Sequence, residues 1–293
     1  MVDIFHKSSI PLNRYFELRT AVKESKMSGS LIVVGTGIRA GHLSQEAISA
    51  VRTADAVAYC IAEPLTRLLV DELRKEAAKP VAEDLHRFYA DGKPRTQTYH
   101  QMVARILELV RLDLQVAAVF YGHPGVFAYP SHESIRQARA EGYPAEMLPG
   151  ISAVDCLFAD LGVDPATAGC QMLEATDFLL RRRHLDTACG VVLWQIGCVG
   201  HGDYQGSGYD LRYIPMLVEA LLAFYPPEHE VVVYQAAHFA MCDPIVECVA
   251  IAEMLKASIT AVSTLYIPPL LVPAIDSQVL KKFDIATFRG TEG

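Results

Sequence analysis

The segment Tyr121-Gly122-His123-Pro124-Gly125-Val126-Phe127 has the residue types of a ligand-binding turn. Glycines flanking His-Pro let main-chain amides approach a bound group closely, and proline holds the turn. A second glycine turn, Gly35-Thr36-Gly37 with Gly41 beyond it, follows the apolar run Leu31 to Val34. Its G-x-G-x-x-x-G spacing departs by one residue from the dinucleotide fingerprint and equally describes a tight strand-to-helix turn; Glu63 would be the ribose-binding carboxylate of such a site. A third group is Tyr89, Arg95 and Tyr99. If a helix begins near Arg95, that residue and Tyr99 are one turn apart and face the same way. By residue type alone, the tyrosines are equally amphipathic packing residues and Arg95 a solvated charge.

The elements that must position these groups follow from pattern. Leu31 to Val34 predicts a strand, and Ser44 to Ala54 a helix with Ser44 as its N-cap. Ala56 to Cys60 predicts a second strand leading through Pro64 into a helix over Leu65 to Ala78, and Val116 to Tyr121 a third strand. Between them Leu85 to Arg95 reads as a polar loop, and Gln97 to Leu112 as a helix carrying Met102, Ile106, Leu109 and Val110 on its sheet-facing side. Alternating strands and helices imply a parallel α/β sheet. After Pro149-Gly150, Ser152 can cap a helix to Leu161; strands are expected at Cys170 to Leu173, Val191 to Gln195, Glu230 to Tyr234 and Ser263 to Ile267, with a helix near Ile214 to Phe224. That half suits a mixed sheet. The organisation expected is an N-terminal extension over residues 1–27, helix or mobile arm, then an α/β domain over 28–149 and a second α/β domain over 150–285.

Composition narrows the function classes. The 293 residues are 51% hydrophobic, and 26 Lys and Arg against 34 Asp and Glu give a net charge of -8, which repels phosphate backbones. No nucleic-acid partner is expected. The long uncharged stretch Ala257 to Ile275 is interrupted by Pro268, Pro269 and Pro273, so it reads as strand and loop, not as a membrane span. The charged N-terminus has no apolar core of a secretion signal. Seven cysteines, none in a C-x-x-C pair, read as reduced and mostly buried thiols of a cytoplasmic protein; Cys242 and Cys248 with His238 lack a fourth ligand, so no metal is expected. Arg181-Arg182-Arg183-His184 reads as a solvated helix end or loop, with binding of an acidic peptide as the alternative.

Four motifs in chain order carry a resemblance: Gly35-Thr36-Gly37, the Tyr121 to Phe127 turn, Leu148-Pro149-Gly150-Ile151-Ser152-Ala153, and Ser263-Thr264-Leu265-Tyr266-Ile267-Pro268-Pro269. Together they resemble the tetrapyrrole methylase family of S-adenosylmethionine-dependent methyltransferases. Asp84 to Met102, Phe158-Ala159-Asp160-Leu161-Gly162 and Leu193 to Gly200 are similar, more narrowly, to the borosin (omphalotin-type) peptide backbone α-N-methyltransferases. The resemblance implies a homodimer with S-adenosylmethionine in the cleft between two α/β domains. It points to Gly35, Gly37, Tyr121, His123, Val126, Phe127, Ser152, Ala153, Gln195, Tyr234, Ser263 and Thr264 for the cofactor, and to Tyr89, Arg95, Tyr99 and again Tyr121 as candidate catalytic residues. Met172 and Cys170 read as packing.

The implied substrate is demanding. A peptide nitrogen delocalises its lone pair into the carbonyl, and its N–H is a far weaker acid than a tyrosine of pKa about 10. Under the resemblance Tyr99 accepts or relays the amide proton, Arg95 lowers the tyrosine pKa and stabilises imidate charge, and Tyr89 hydrogen-bonds the carbonyl oxygen. The fungal proteins continue into a clasp and a core peptide that is their own substrate. No apolar core peptide follows Leu280 here, so the expectation is the split bacterial form, acting on a separate precursor peptide. His86 stands where the fungal motif commonly has tyrosine. The rival functions are methylation of a corrinoid precursor or other small molecule, and a catalytically silent S-adenosylmethionine-binding scaffold.

Overall fold

The computed structural model describes residues 29–80 and 82–283. The expected extension over residues 1–27 and the chain beyond residue 283 lie outside the described residues. The described residues divide into two compact units: the first takes those up to Val163 together with Gly200–Asp210 and Tyr234–Val246, and the second takes Asp164–Val199, Leu211–Val233 and residues 247–283. The first unit thus runs past the Pro149 boundary read from the sequence, through the next helix.

In the first unit the strands are β1 (Ser30–Gly35), β2 (Ala56–Cys60), β3 (Glu83–Asp84), β4 (Gln115–Phe120) and β5 (Ala145–Met147). They form one sheet of order β3-β2-β4-β1-β5, parallel at every pairing. Successive side chains point to opposite faces, and both faces are covered. Leu31, Val33, Ala58, Val116, Ala118 and Phe120 pack with helices α3 and α4 as defined next, while Val34, Val57, Tyr59, Ala117 and Val119 pack on the other side. The helices are α1 (Gln45–Thr53), α2 (Pro64–Glu76), α3 (Arg95–Arg111), α4 (Tyr129–Ala140) and α5 (Ala153–Leu161).

Local chemistry sets the helix starts. The Ser44 side chain accepts the Ala47 N–H at 3.1 Å, and Pro64 occupies the first turn of α2, where its missing N–H costs nothing. Glu63, the ribose candidate, caps α2 instead: its carboxylate accepts from the N–H groups of Leu65 and Thr66, each at 2.7 Å. Met102, Ile106, Leu109 and Val110 of α3 are buried as their spacing predicts. That helix starts two residues before the expected Gln97, with Arg95 in its first turn. The expected polar loop before it contains a 3-10 turn, Leu85–Phe88, with Leu85 fully buried.

The second unit contributes helices α6 (Pro165–Ala168), α7 (Ala175–Leu180), α8 (Ile214–Leu222) and α9 (Ser277–Lys282) and a sheet of order β6-β7-β10-β8-β9. Its strands are β6 (Cys170–Glu174), β7 (Gly190–Trp194), β8 (Glu230–Gln235), β9 (Ile245–Ala250) and β10 (Thr264–Ile267). β6 pairs with β7 in parallel and β10 with β7 antiparallel, the expected mixed sheet. β3, β5 and β9 had no counterpart in the sequence reading. Arg181 and Arg183 both pair with Asp177 of α7, at 2.6 and 3.0 Å, so the basic run meets an acidic partner one turn away. The thiols correct the expectation of burial: only Cys198 is fully buried, Cys242 and Cys248 are exposed, and all seven are free.

Candidate active site

A parallel sheet brings every strand's carboxyl end to one edge, where open α/β folds bind ligands. In the first unit that edge carries the Gly35 turn after β1, Glu63 after β2, Leu85–Phe88 after β3, the Tyr121 to Phe127 turn after β4 and Leu148-Pro149-Gly150 after β5. The first two glycine turns join as an antiparallel bridge. Gly37 N–H donates to Gly122 O at 3.2 Å and Gly122 N–H returns to Gly37 O at 3.0 Å. Both glycines have positive φ, 68° and 72°. A Cβ on Gly35 would stand 2.2 Å from Gly122 O and 2.6 Å from Pro124, which requires glycine there.

The remaining cofactor candidates of this unit are placed around those turns. His123 Nδ1 accepts the Gly125 N–H at 2.9 Å, and Gly125 O in turn accepts from His132 Nε2 at 2.9 Å, so the imidazole stiffens its own turn. Val126 N–H donates to His123 O at 3.1 Å. Phe127 is 38% exposed at φ 52°, an uncommon left-handed conformation for an aromatic residue. Ser152 precedes Ala153 at the start of α5, and the Asp155 carboxylate accepts from both its N–H and its hydroxyl, at 2.6 and 2.7 Å. Tyr121 stacks on His238 with ring centroids 6.0 Å apart. Tyr234 donates its hydroxyl to Asp160 at 2.6 Å, and burial followed by that bond pushes its pKa upward. In the second unit Gln195 has φ 58°, and Ile196 N–H donates to Ser263 O at 3.3 Å, so Gln195 and Ser263 end neighbouring strands. The Ser263 hydroxyl accepts the Thr260 N–H at 2.8 Å, and Thr264 is buried at the start of β10.

Arg95, Tyr99 and Tyr89 come together at the start of α3. Arg95 is only 7% exposed. Burial raises the pKa of Tyr99, while the Arg95 guanidinium, the next influence, and a hydrogen bond with the Tyr89 hydroxyl both act to lower it. Tyr89 is raised by burial first and by Tyr99 next, with Arg95 opposing. The Cys60 thiol beneath them is pushed up by burial to about 12 and is inert. Burial raises Tyr121 as well. His86 packs on Tyr89 with centroids 4.9 Å apart, and burial lowers its pKa, with Asp84 opposing.

Two aromatic residues of this cluster were missed by sequence reasoning. Tyr204 packs against Tyr89 with centroids 4.6 Å apart, and the Arg95 guanidinium lies over the Tyr209 ring at 4.9 Å. Both belong to the loop Gly200–Asp210, which folds onto the turn before α3. Gly92 N–H donates to Tyr204 O and Tyr204 N–H to Lys93 O, each at 2.9 Å; Gly206 N–H reaches the Asp91 carboxylate at 2.6 Å, and Arg95 N–H donates to Gly202 O at 3.3 Å. The only trace in the sequence is a concentration of glycine and tyrosine between residues 200 and 209. Among the described residues no group of three or more His, Cys, Asp or Glu is placed to hold a metal ion.

Residues 30–241 match the family model for Tetrapyrrole (Corrin/Porphyrin) Methylases. The chain is 43% identical over 258 residues to a methyltransferase/ribosomally synthesized cyclic peptide dendrothelin A precursor of Dendrothele bispora, covering 86% of this chain and 61% of that protein. It is 40% identical over 263 residues to the corresponding omphalotin A precursor of Omphalotus olearius, with 88% and 62% covered. A type I borosin cyclic peptide precursor of Coprinopsis marcescibilis is 40% identical over 273 residues, with 89% and 68% covered. The chain thus spans about three fifths of the length of the first two relatives. Among solved structures, uroporphyrin-III-C-methyltransferase from Thermus thermophilus aligns with a TM-score of 0.58 at 21% identity, over 85% of this chain and 99% of that one, which supports the fold. The matched model and the borosin-type relatives agree with the glycine turns at the sheet's carboxyl edge: the chain belongs to the tetrapyrrole (corrin/porphyrin) methylase family.

Proposed function

We propose that the chain is an S-adenosylmethionine-dependent methyltransferase that methylates backbone amides of a precursor peptide. The observation that carries this reading is the buried Arg95 set against Tyr99 and Tyr89 beside the glycine turns. The first unit fits the cofactor. The Gly35, Gly122 and Gly150 main chains approach one another closely with only the Pro124 ring packed against them, and Phe127 of the same turn presents a partly exposed ring. Phe127 and Gln195 are two of the five non-glycine positive-φ residues among those described, a costly conformation that concentrates at ligand sites. We assign Gly35, Gly37, Tyr121, His123, Val126, Phe127, Ser152, Ala153 and Tyr234 to cofactor binding from the first unit, and retain Gln195, Ser263 and Thr264 as candidates on the second. When bound, S-adenosylmethionine supplies an electrophilic methyl group on a sulfonium.

The chain's own residues prepare the amide. Because burial raises Tyr99, its phenolate is a stronger base than that of free tyrosine, better matched to a peptide N–H; Arg95 and the Tyr89 hydroxyl offset the cost of forming it. Tyr99 takes the amide proton, which leaves the nitrogen able to accept the methyl group that a bound sulfonium would supply. Arg95 stabilises the negative charge that spreads from nitrogen to the carbonyl oxygen. Tyr89, held protonated by burial, remains a donor to that oxygen. Tyr121, also held protonated, lies at the cofactor turn.

In this reading the substrate is a second polypeptide; the charges along residues 1–27 make that segment a poor copy of an apolar core peptide. The protein acts as a cytoplasmic homodimer, for which the exposed Phe239 and Met241 offer apolar surface. No described helix is long and apolar enough to cross a membrane. The test is incubation of the purified chain with methyl-labelled cofactor and synthetic peptides with apolar C-termini, followed by fragment mass spectra. Label on peptide main-chain nitrogens is expected. Label on this chain's own nitrogens would overturn the separate substrate, cofactor binding without transfer would favour the silent scaffold, and no calorimetric binding of cofactor or its demethylated product would sink every methyltransferase version.

A further inference from the structure

A guanidinium on a flexible side chain must be aimed to stabilise charge at one carbonyl oxygen. An aromatic face holds a guanidinium by its quadrupole and leaves the charge intact. Arg95 lies over such a face, the ring of Tyr209, at 4.9 Å. That ring is itself fixed. Its hydroxyl accepts the Gln205 N–H at 3.2 Å, His201 packs against it with centroids 5.3 Å apart, and His201 Nε2 donates to Asp210 O at 3.0 Å, which closes the base of the loop. The loop is registered on the turn before α3 by the four hydrogen bonds described above, one of them from the Arg95 N–H itself. Tyr204, five residues earlier, packs on Tyr89 in the same way.

We propose that Gly200–Asp210 is part of the amide-handling apparatus, with Tyr209 as the positioning residue of Arg95 and Tyr204 that of Tyr89. The proposal rests on the methyltransferase reading for its consequence in catalysis, but its geometric content does not. Tyr209 touches the guanidinium and not the reacting amide, so removing its ring should affect turnover more than binding. Tyr209→Leu is expected to lower kcat for peptide methylation about ten-fold, with the peptide KM and the affinity for the demethylated cofactor unchanged. Tyr209→Phe, which keeps the face and loses only the hydroxyl, should restore kcat. Should Tyr209→Leu lower the melting temperature, Tyr209→Met serves in its place, since it also lacks a ring.

A second readout needs no activity. In side-chain spectra of protein labelled with 15N-arginine, the Nε–H proton of Arg95 should lie upfield through the Tyr209 ring current, identified by its loss in Arg95→Lys. It should stay there in Tyr209→Phe and move downfield in Tyr209→Leu. An unmoved resonance overturns the proposal, as does normal kcat in the ringless variants or a loss in Tyr209→Phe equal to theirs. If the unaltered chain methylates no peptide, the proposed function fails, and the Arg95 resonance still decides whether Tyr209 positions it.

Discussion

Arg95→Ala lowers peptide methylation by roughly 10²–10³-fold, the loss typical of removing one donor that meets developing oxyanion charge. Tyr99→Phe, which deletes the proton acceptor and little else, lowers it by roughly 10²–10⁴-fold. Calorimetric affinity for the demethylated cofactor stays close to that of the unaltered chain in both, because these residues are assigned to the amide and not to the sulfonium. The double variant should fall little further than the worse single one, since the two act on one proton transfer. Normal single-turnover rates in both would reduce the cluster to packing: two half-buried aromatic rings and a buried cation that stabilise the start of α3. A parallel loss of cofactor affinity would instead place Arg95 in the binding of the sulfonium compound.

The largest effect on stability is expected at Arg74, far from that chemistry. It is 1% exposed, and its guanidinium donates to four main-chain carbonyls: Val51 at 2.9 Å, Ala54 at 2.7 Å, Asp55 at 3.1 Å and Pro80 at 3.0 Å. Those oxygens end α1 and precede β2 and β3, so one side chain stitches the entrances of two strands and meets the negative end of a helix. Burial lowers its pKa, yet a guanidinium stays charged. Arg74→Met keeps most of the volume and leaves the four acceptors without their donor. A loss of about 3–5 kcal/mol is expected, or a fall in melting temperature of roughly 10 °C. Urea titration gives the measurement; a change below about 1 kcal/mol would mean that water replaces the guanidinium at little cost.

The parts of this architecture legible in the sequence are those whose causes are local. The Leu31 to Val34 run, the Ser44 cap and the buried stripe of α3 each depend on neighbours within a turn or on a period, and each lies where its pattern places it. The glycine turns were legible as turns, but their mutual bridge joins Gly37 to Gly122, and no spacing rule reaches across that distance. Tyr209 is the sharper case: it meets Arg95 through a chain detour with no periodicity, so nothing near either residue announces the contact. Arg74 reads as one more charge on an amphipathic helix, because the carbonyls it satisfies belong to other elements. The boundary placed near Pro149 followed a change in the pattern of strands and helices, whereas the compact unit follows contacts and includes α5.

The central position of β4, between β1 and β2, has a consequence for synthesis of the chain. β1 and β2 make no pairing with each other; before residues 115–120 exist β1 has no earlier strand to pair with and β2 has only the two-residue β3. As the chain emerges from a ribosome, the first half of this sheet therefore waits, helped only by local helices, for the strand that joins its parts. The wait is longer for the Arg95 cluster, because the first unit is completed by Gly200–Asp210 and Tyr234–Val246, with segments of the second unit made in between. A nascent chain holds Arg95 well before it holds Tyr209. Under the proposed function, capacity to act on an amide arises only once Gly200–Asp210 has been made, and shorter nascent chains carry Arg95 and Tyr99 without the loop that packs on them.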